Sequence, residues 1–526
     1  MAGPPDWTSR LRSLSLDRLR SRPRPAAVAV VVAVVTVAAL AADGPAGRPH
    51  PDASVPFAGP PTPAATPPAP APAPAAAPFA GWSDPAQVGR PYGDTVAGLL
   101  TFRGNPTRTY YGTGPIPRGT PGELWRFPTT GGLCSQSTDA KGTRVWCGSG
   151  WTGQPAVFER DGRTWVVFGA YDGAIHFLDA ATGRRLLPDF RTGDIIKGSV
   201  TVDPDGYPLV YSGSRDNYFR ILAIDRGRPT ELWRLSAYAV SPTIWNNDWD
   251  GSALVIDDYL FEGGENGQFH IVKLNRGYDR NGKVTVNPKL VFHAPGWDGR
   301  LLRDVGDQNV SVENSVAVWG NMVYFANSGG LVQGWDITDL DSGRTPRRVF
   351  RYWTGDDTDA SVVVDEAGAL YVGVEYERGT PRSRTVGQIL KLDPTRRGDP
   401  RVWGLHDRGT RPAGVWGTPA LHRDIAIFDT TGGDVLGVDR ATGAERWRFH
   451  LPGGETWQSP VVVDGVLLIG DCTGDLHAYD VADTTVAPKR MWSLKVGGCV
   501  ESTPAVWKGT IYVGTRAGAI HAIGVR

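Results

Sequence analysis

The sequence is poor in several of the features that announce a chemistry. Its 526 residues carry no net charge, with 55 Lys and Arg set against 55 Asp and Glu. The basic excess that phosphate contacts require is missing, so a nucleic-acid partner is not expected. There are only four cysteines, none of them spaced as Cys-x-x-Cys, so neither a zinc centre nor a dithiol redox centre is indicated. Neither Gly-x-Ser-x-Gly nor His-Glu-x-x-His occurs. His422-Arg-Asp424 has the letters of a kinase catalytic loop without the glycine-rich loop or Asp-Phe-Gly that would complete it. Long hydrophobic runs are also lacking, with one exception near the N-terminus.

That exception is Ala26-Ala-Val-Ala-Val-Val-Val-Ala-Val-Val-Thr-Val-Ala-Ala-Leu-Ala-Ala42, which follows an arginine-rich stretch. At ~1.5 Å per residue it reaches about 25 Å as a helix, enough for a short membrane span. Basic residues ahead of it keep residues 1–25 in the cytoplasm and place everything after Asp43 outside. The segment 26–42 reads as a transmembrane or signal helix. It is either retained as a single-pass anchor or cleaved at Ala39-Leu-Ala41 to release a secreted protein. Residues 43–80 are almost entirely Pro, Ala, Gly and small polar residues and form a disordered, extended linker. Four cysteines suit an oxidising compartment, and their placement predicts the bonds Cys134–Cys147 and Cys472–Cys499. The preference for Arg over Lys and the Ala, Pro and Gly bias suit a bacterium with a GC-rich genome, hence a bacterial cell envelope.

What the chain has in abundance is repetition. A strand, a glycine turn and a second strand ending near Asp recur from Trp165-Val-Val-Phe-Gly-Ala-Tyr-Asp-Gly-Ala-Ile-His-Phe-Leu-Asp179 to Ile511-Tyr-Val-Gly-Thr-Arg-Ala-Gly-Ala-Ile-His-Ala-Ile523. The turn positions are Gly173, Asn217, Gly267, Gly330, Gly387, Gly433, Gly474 and Gly518. Eight such units predict an all-β fold, an eight-bladed β-propeller of four-stranded antiparallel blades over 123–526, after a lead-in at 81–122. Small residues open each innermost strand, as in Gly417-Thr-Pro-Ala-Leu. Aromatics mark the outermost ones: Trp233, Phe292, Phe350, Trp403, Trp447 and Trp492. The last unit ends after three strands. Glu123-Leu-Trp125-Arg-Phe127 is expected to supply the fourth and close the ring, leaving no open edge. A closed ring of this kind is expected to act as a monomer. His176, His270, His477 and His521 occupy one equivalent place in separate blades, too far apart to share a metal.

The stretch Val438-Asp-Arg-Ala-Thr-Gly443-Ala-Glu-Arg-Trp447, Ala478-Tyr-Asp480, the Ser/Thr-Pro strand starts and Phe102-Arg-Gly-Asn-Pro-Thr-Arg-Thr-Tyr-Tyr-Gly112 resemble the quinoprotein-type eight-bladed propeller superfamily. The resemblance covers about 120–526. It implies the fold, and two kinds of function: pyrroloquinoline-quinone (PQQ) dehydrogenases, and non-enzymatic members such as the propeller of the outer-membrane protein assembly machinery. Fold alone does not choose between them.

One register carries the candidate site. The residues two before each inner-strand Ser or Thr are Lys197, Asp250, Glu313, Asp359, Trp416, Trp457 and Glu501, with Thr152 in the first blade. With Asn314 and Gln458 beside them, they are expected to converge in an axial funnel. Carboxylates there can hold a hard cation, and indoles can stack a flat ligand. In the dehydrogenase reading the resemblance implies Trp457 or Trp416 as the floor under PQQ. Glu313 and Asn314 then become Ca²⁺ ligands, and Asp359 or Asp250 the base. The adjacent Cys-Cys pair of many such alcohol dehydrogenases is absent, as is a long insertion to roof the site. The leading expectation is therefore a tethered scaffold that binds an envelope protein or polymer, with a PQQ- and Ca²⁺-dependent alcohol or sugar dehydrogenase as the alternative.

Overall fold

The computed structural model describes residues 79–139, 142–150 and 153–525. The expected span at 26–42 and nearly all of the 43–80 linker lie outside them, as does Thr152. Among the described residues no helix is long and apolar enough to cross a membrane.

Among the described residues eight antiparallel sheets of four or five strands follow one another, most of them built from strands near one another in sequence. Blade 7 shows the logic. Val461–Val463, Val466–Gly470 and Asp475–Asp480 lie side by side, and Lys489–Lys495 forms the outer edge. The second strand, Val-Leu-Leu-Ile-Gly, is buried throughout because neighbouring blades cover both of its faces. The outer strand alternates polar and apolar residues, since one side meets solvent. Blade 1 has an additional inner strand, Gly98–Leu99, paired with Ala156–Arg160.

Gly122–Phe127 pairs with Ala519–Gly524, so the strand that precedes the first blade completes the eighth. The Trp125 ring docks on the next blade: its Nε1 donates to Ala180 O at 2.8 Å, and a Cβ on Gly183 would come within 2.7 Å of the indole. Gly183 has φ +66, so it supplies both the turn and the space. Trp403 repeats the arrangement on blade 6, donating to Arg440 O over Gly443, whose φ is +76. The Ala-Thr-Gly and tryptophan signals are thus two halves of one inter-blade joint.

The small residues at the inner strands form a second joint. Ser252 N donates to Ser315 Oγ, Ser315 N to Ser361 Oγ, Ser361 N to Thr418 Oγ1 and Thr418 N to Ser459 Oγ, each at 2.9–3.0 Å. Each hydroxyl satisfies a buried amide of the preceding blade.

The lead-in is packed into the ring. Its backbone carbonyls accept from Val202, Val318 and Val364 of blades 2, 4 and 5. The buried Arg103 guanidinium donates to Pro419 O (2.6 Å) and Pro460 O (2.8 Å). Arg108, equally buried, donates to Val316 O (2.6 Å) and Ser252 O (2.8 Å). Two cations on one short loop thus collect carbonyls from blades 3, 4, 6 and 7 and stopper one end of the axis. Burial lowers the pKa of both arginines, that of Arg108 to about 10.

Both expected disulfides form. Cys134–Cys147 joins the strands of a hairpin, Cys134–Asp139 with Gly142–Cys147, and Cys472–Cys499 ties blade 7 to the segment leading into blade 8.

Candidate functional site

Three positions of one register recur from blade to blade, and in blades 3 and 5 they lie close together. Two lie four and two residues before the inner-strand Ser or Thr. The third follows the end of the second strand. In blade 3 these are Asp248, Asp250 and Glu265, and in blade 5 Asp357, Asp359 and Glu375. Blade 4 has Ser311, Glu313 and Ser328 in the same places. Blade 8 has Cys499, Glu501 and Arg516.

The blade 3 trio surrounds the Lys197 ammonium, with Nζ 2.5 Å from Asp250, 2.8 Å from Glu265 and 3.1 Å from Asp248. Arg215 stands 3.3 Å from Asp248. Burial alone would drive the Lys197 pKa down, but Asp250, Glu265 and Asp248 outweigh it and hold it well above its ordinary value. Burial, then the Glu265 charge, pushes Asp248 up to about 7. Three carboxylates therefore share two cations and retain a proton near neutrality.

Glu313 accepts from Ser311 Oγ (2.7 Å) and Ser328 Oγ (3.1 Å), and Ser328 Oγ also lies 3.1 Å from Asp359. Two charged groups thus stand in neighbouring blades, Lys197 with Asp250, and Glu313 with Asp359 joined through Ser328 Oγ. Trp416 and Trp457 face each other with ring centroids 5.4 Å apart and planes inclined at 39°. Glu501 lies 3.7 Å from Arg516. That guanidinium sits over Tyr171 and over Trp146 of the disulfide-bonded hairpin. Burial raises Glu501 to about 7.

The two amides of the predicted set do other work. Asn314 Nδ2 donates to Thr358 O (2.9 Å), and its Oδ1 accepts from Ala326 N (3.3 Å). Gln458 Nε2 donates to Ser502 O (2.7 Å), and its Oε1 accepts from Gly470 N (2.5 Å). Each side chain bridges from its own blade to the next.

The third position of the register was not read from the sequence. A signal for it existed: Arg215, Glu265, Ser328, Cys472 and Arg516 each lie two residues before a turn glycine or Asn217. Glu375 escapes that rule because blade 5 stretches its turn. Between Gly373 and Ile389 the chain pairs Glu375–Tyr376 with Ala413–Gly414 and makes a helix, Pro381–Val386, before reaching Gly387. Asp356 holds this excursion by accepting from Arg378 N (2.8 Å), Gly379 N (2.7 Å) and Ser383 Oγ (3.1 Å).

Residues 309–526 match the family model described as outer membrane protein assembly factor BamB. No curated protein sequence matches the chain. Among solved structures, quinohemoprotein alcohol dehydrogenase ADHIIG from Pseudomonas putida HK5 is 11% identical. Its TM-score is 0.53 over 81% of this chain and 80% of that one. The quinohemoprotein alcohol dehydrogenase of Comamonas testosteroni is 12% identical, with a TM-score of 0.50 over the same shares. BamB from Moraxella catarrhalis is 14% identical, with a TM-score of 0.38 over 77% of this chain and all of that one. At such identity the likenesses bear on the fold alone. The repeat matched over 309–526 lies within a ring of eight blades, and the family resemblance is carried by that part of the chain.

Proposed function

We infer that this chain is an exported propeller whose funnel face docks a partner in the cell envelope, without turnover, and that residues 26–42 hold it at the membrane. The observation that carries the reading is the cluster of charged side chains, Lys197 and Arg215 with Asp248, Asp250 and Glu265, and Glu313 and Asp359 about Ser328. A dense charged cluster on a rigid ring favours recognition of a complementary surface. Two disulfides and the apolar run behind arginines support the exported location. The BamB family match over 309–526 is in keeping with a non-catalytic propeller.

The donor set that PQQ with Ca²⁺ would need does not fit these residues. Asn314 has both amide atoms engaged between blades, and Trp457 is packed against Trp416 rather than laid open as a floor. We therefore derive no oxidation step, and titration of the full-length protein with PQQ and Ca²⁺ is expected to give no saturable heat.

Docking is tested by site-specific photo-crosslinking in the envelope. Tyr238, exposed on the loop that carries Asp248 and Asp250, is replaced by a photoreactive residue. Val349, exposed on an outer strand, serves as the comparison. Capture from position 238 and not from 349 is expected. Equal capture from both would overturn the reading.

A further inference from the structure

Blades 3 and 5 carry the same trio in the same register: Asp, Asp and Glu, with one oxygen of each within 4.8 Å of the others. Blade 3 shows what such a trio holds, since the Lys197 ammonium reaches all three carboxylates. An ammonium has three N–H donors, one for each acid.

The blade 5 trio has the acids without the ammonium. Among the described residues no lysine lies within ion-pair distance of Asp357, Asp359 or Glu375. Asp357 is 4% exposed and Glu375 1%, yet Asp357 Oδ1 and Glu375 Oε1 take no hydrogen bond from outside the acids, where Asp357 faces Asp359 and Glu375 faces Glu377. Buried carboxylate oxygens left unmatched are costly. The nearest cation, Arg378, stands 3.5 Å away on the other oxygen of Asp357. Asp359 Oδ1 faces Ser328 Oγ. The Trp416 indole from blade 6 hydrogen-bonds Glu375, which sets an apolar wall beside the acids. Asp359 is partly exposed, so the trio can be reached from solvent on that side.

We propose that Asp357, Asp359 and Glu375 form a receptor for a primary ammonium group, the side chain of a lysine on a protein partner. Other oxygens of these acids already face Arg378, Asn309 and Ser328, so the trio presents only a few free oxygens as acceptors. That matches an ammonium and falls short of the six to eight oxygens Ca²⁺ takes. The indole wall suits the aliphatic stem and the charge of a lysine. The identity of the partner's contacting group rests on the docking reading above; the ammonium site itself does not.

The test is calorimetric titration of the full-length protein with n-pentylamine at neutral pH, beside 1-pentanol and Ca²⁺. Saturable binding of the amine alone is expected, weakened about tenfold or more in Asp357→Asn and in Glu375→Gln, a loss of one charged hydrogen bond. Burial already holds both carboxyls well above their ordinary values, so circular dichroism melting should show the near-isosteric amides about as stable as the parent. No saturable binding, an equal response to 1-pentanol, or binding of Ca²⁺ in place of the amine would overturn the proposal. The photo-crosslinking separates the two ideas. Amine binding without capture at position 238 leaves the receptor standing and removes the docking reading. Capture without amine binding does the reverse.

Discussion

Single side chains in this ring are held by charge arithmetic. Lys197 is surrounded by three carboxylates, so Lys197→Met leaves buried acids facing one another with only Arg215 nearby. A loss of about 3–5 kcal/mol is expected from urea denaturation. Asp429 makes a prediction about pH. Burial raises its carboxyl to about 8, and both of its oxygens lack hydrogen-bond partners. The folded protein therefore keeps a proton that the unfolded chain releases near pH 4. The stability linked to that proton is complete below about pH 4 and is lost as pH rises through 8. Asp248, Glu377 and Glu501, also raised, act in the same direction. The urea midpoint should fall between pH 5 and pH 8, and Asp429→Asn should make that fall shallower. At this scale the sequence was only half legible. Counting back from the inner Ser or Thr singles out Lys197, Asp250, Glu313 and Asp359 by an offset that survives changes in loop length, and the structure sets Lys197 on Asp250 and puts Glu313 and Asp359 about one serine. The same count offered Asn314 and Gln458 as ligands, since spacing says nothing about whether an amide points to the axis or into the joint with the next blade.

Elements were easier to read, because strand periodicity and turn glycines are local. The fourth strand of blade 8 was recognisable in Glu123–Phe127 by its likeness to the other outer strands, although its partner lies some 400 residues on. The helix Pro381–Val386 was not recognised, for the repeat supplies no template for an insertion. Two predictions belong here. Trp125→Ala removes the indole from its seat on Gly183 and the bond to Ala180 O. The ring is only partly buried, so a loss of about 2–4 kcal/mol is expected, at or below the usual range for a core tryptophan. A thermal melt checks it, and an unchanged midpoint would mean the joint does not matter. Replacing Cys472 and Cys499 by serine opens a tie across 27 residues. A loss of about 3 kcal/mol is expected in urea under oxidising conditions, with no such difference under reduction.

As a whole, the molecule is fastened twice by the same early segment. Residues 98–113 stopper the axis and 122–127 complete the last sheet, and both find partners in the latest blades. During synthesis this has an unavoidable order. Arg103 cannot meet Pro419 O and Pro460 O until blades 6 and 7 exist, and Trp125 has no strand beside it until residue 522 has been made. The earliest part of the ring thus waits, unlatched, for the latest. Contacts of such long sequence separation form slowly. A ring whose first and last strands share a sheet cannot lock before residues 519–524 emerge, however early blades 1 to 7 take shape.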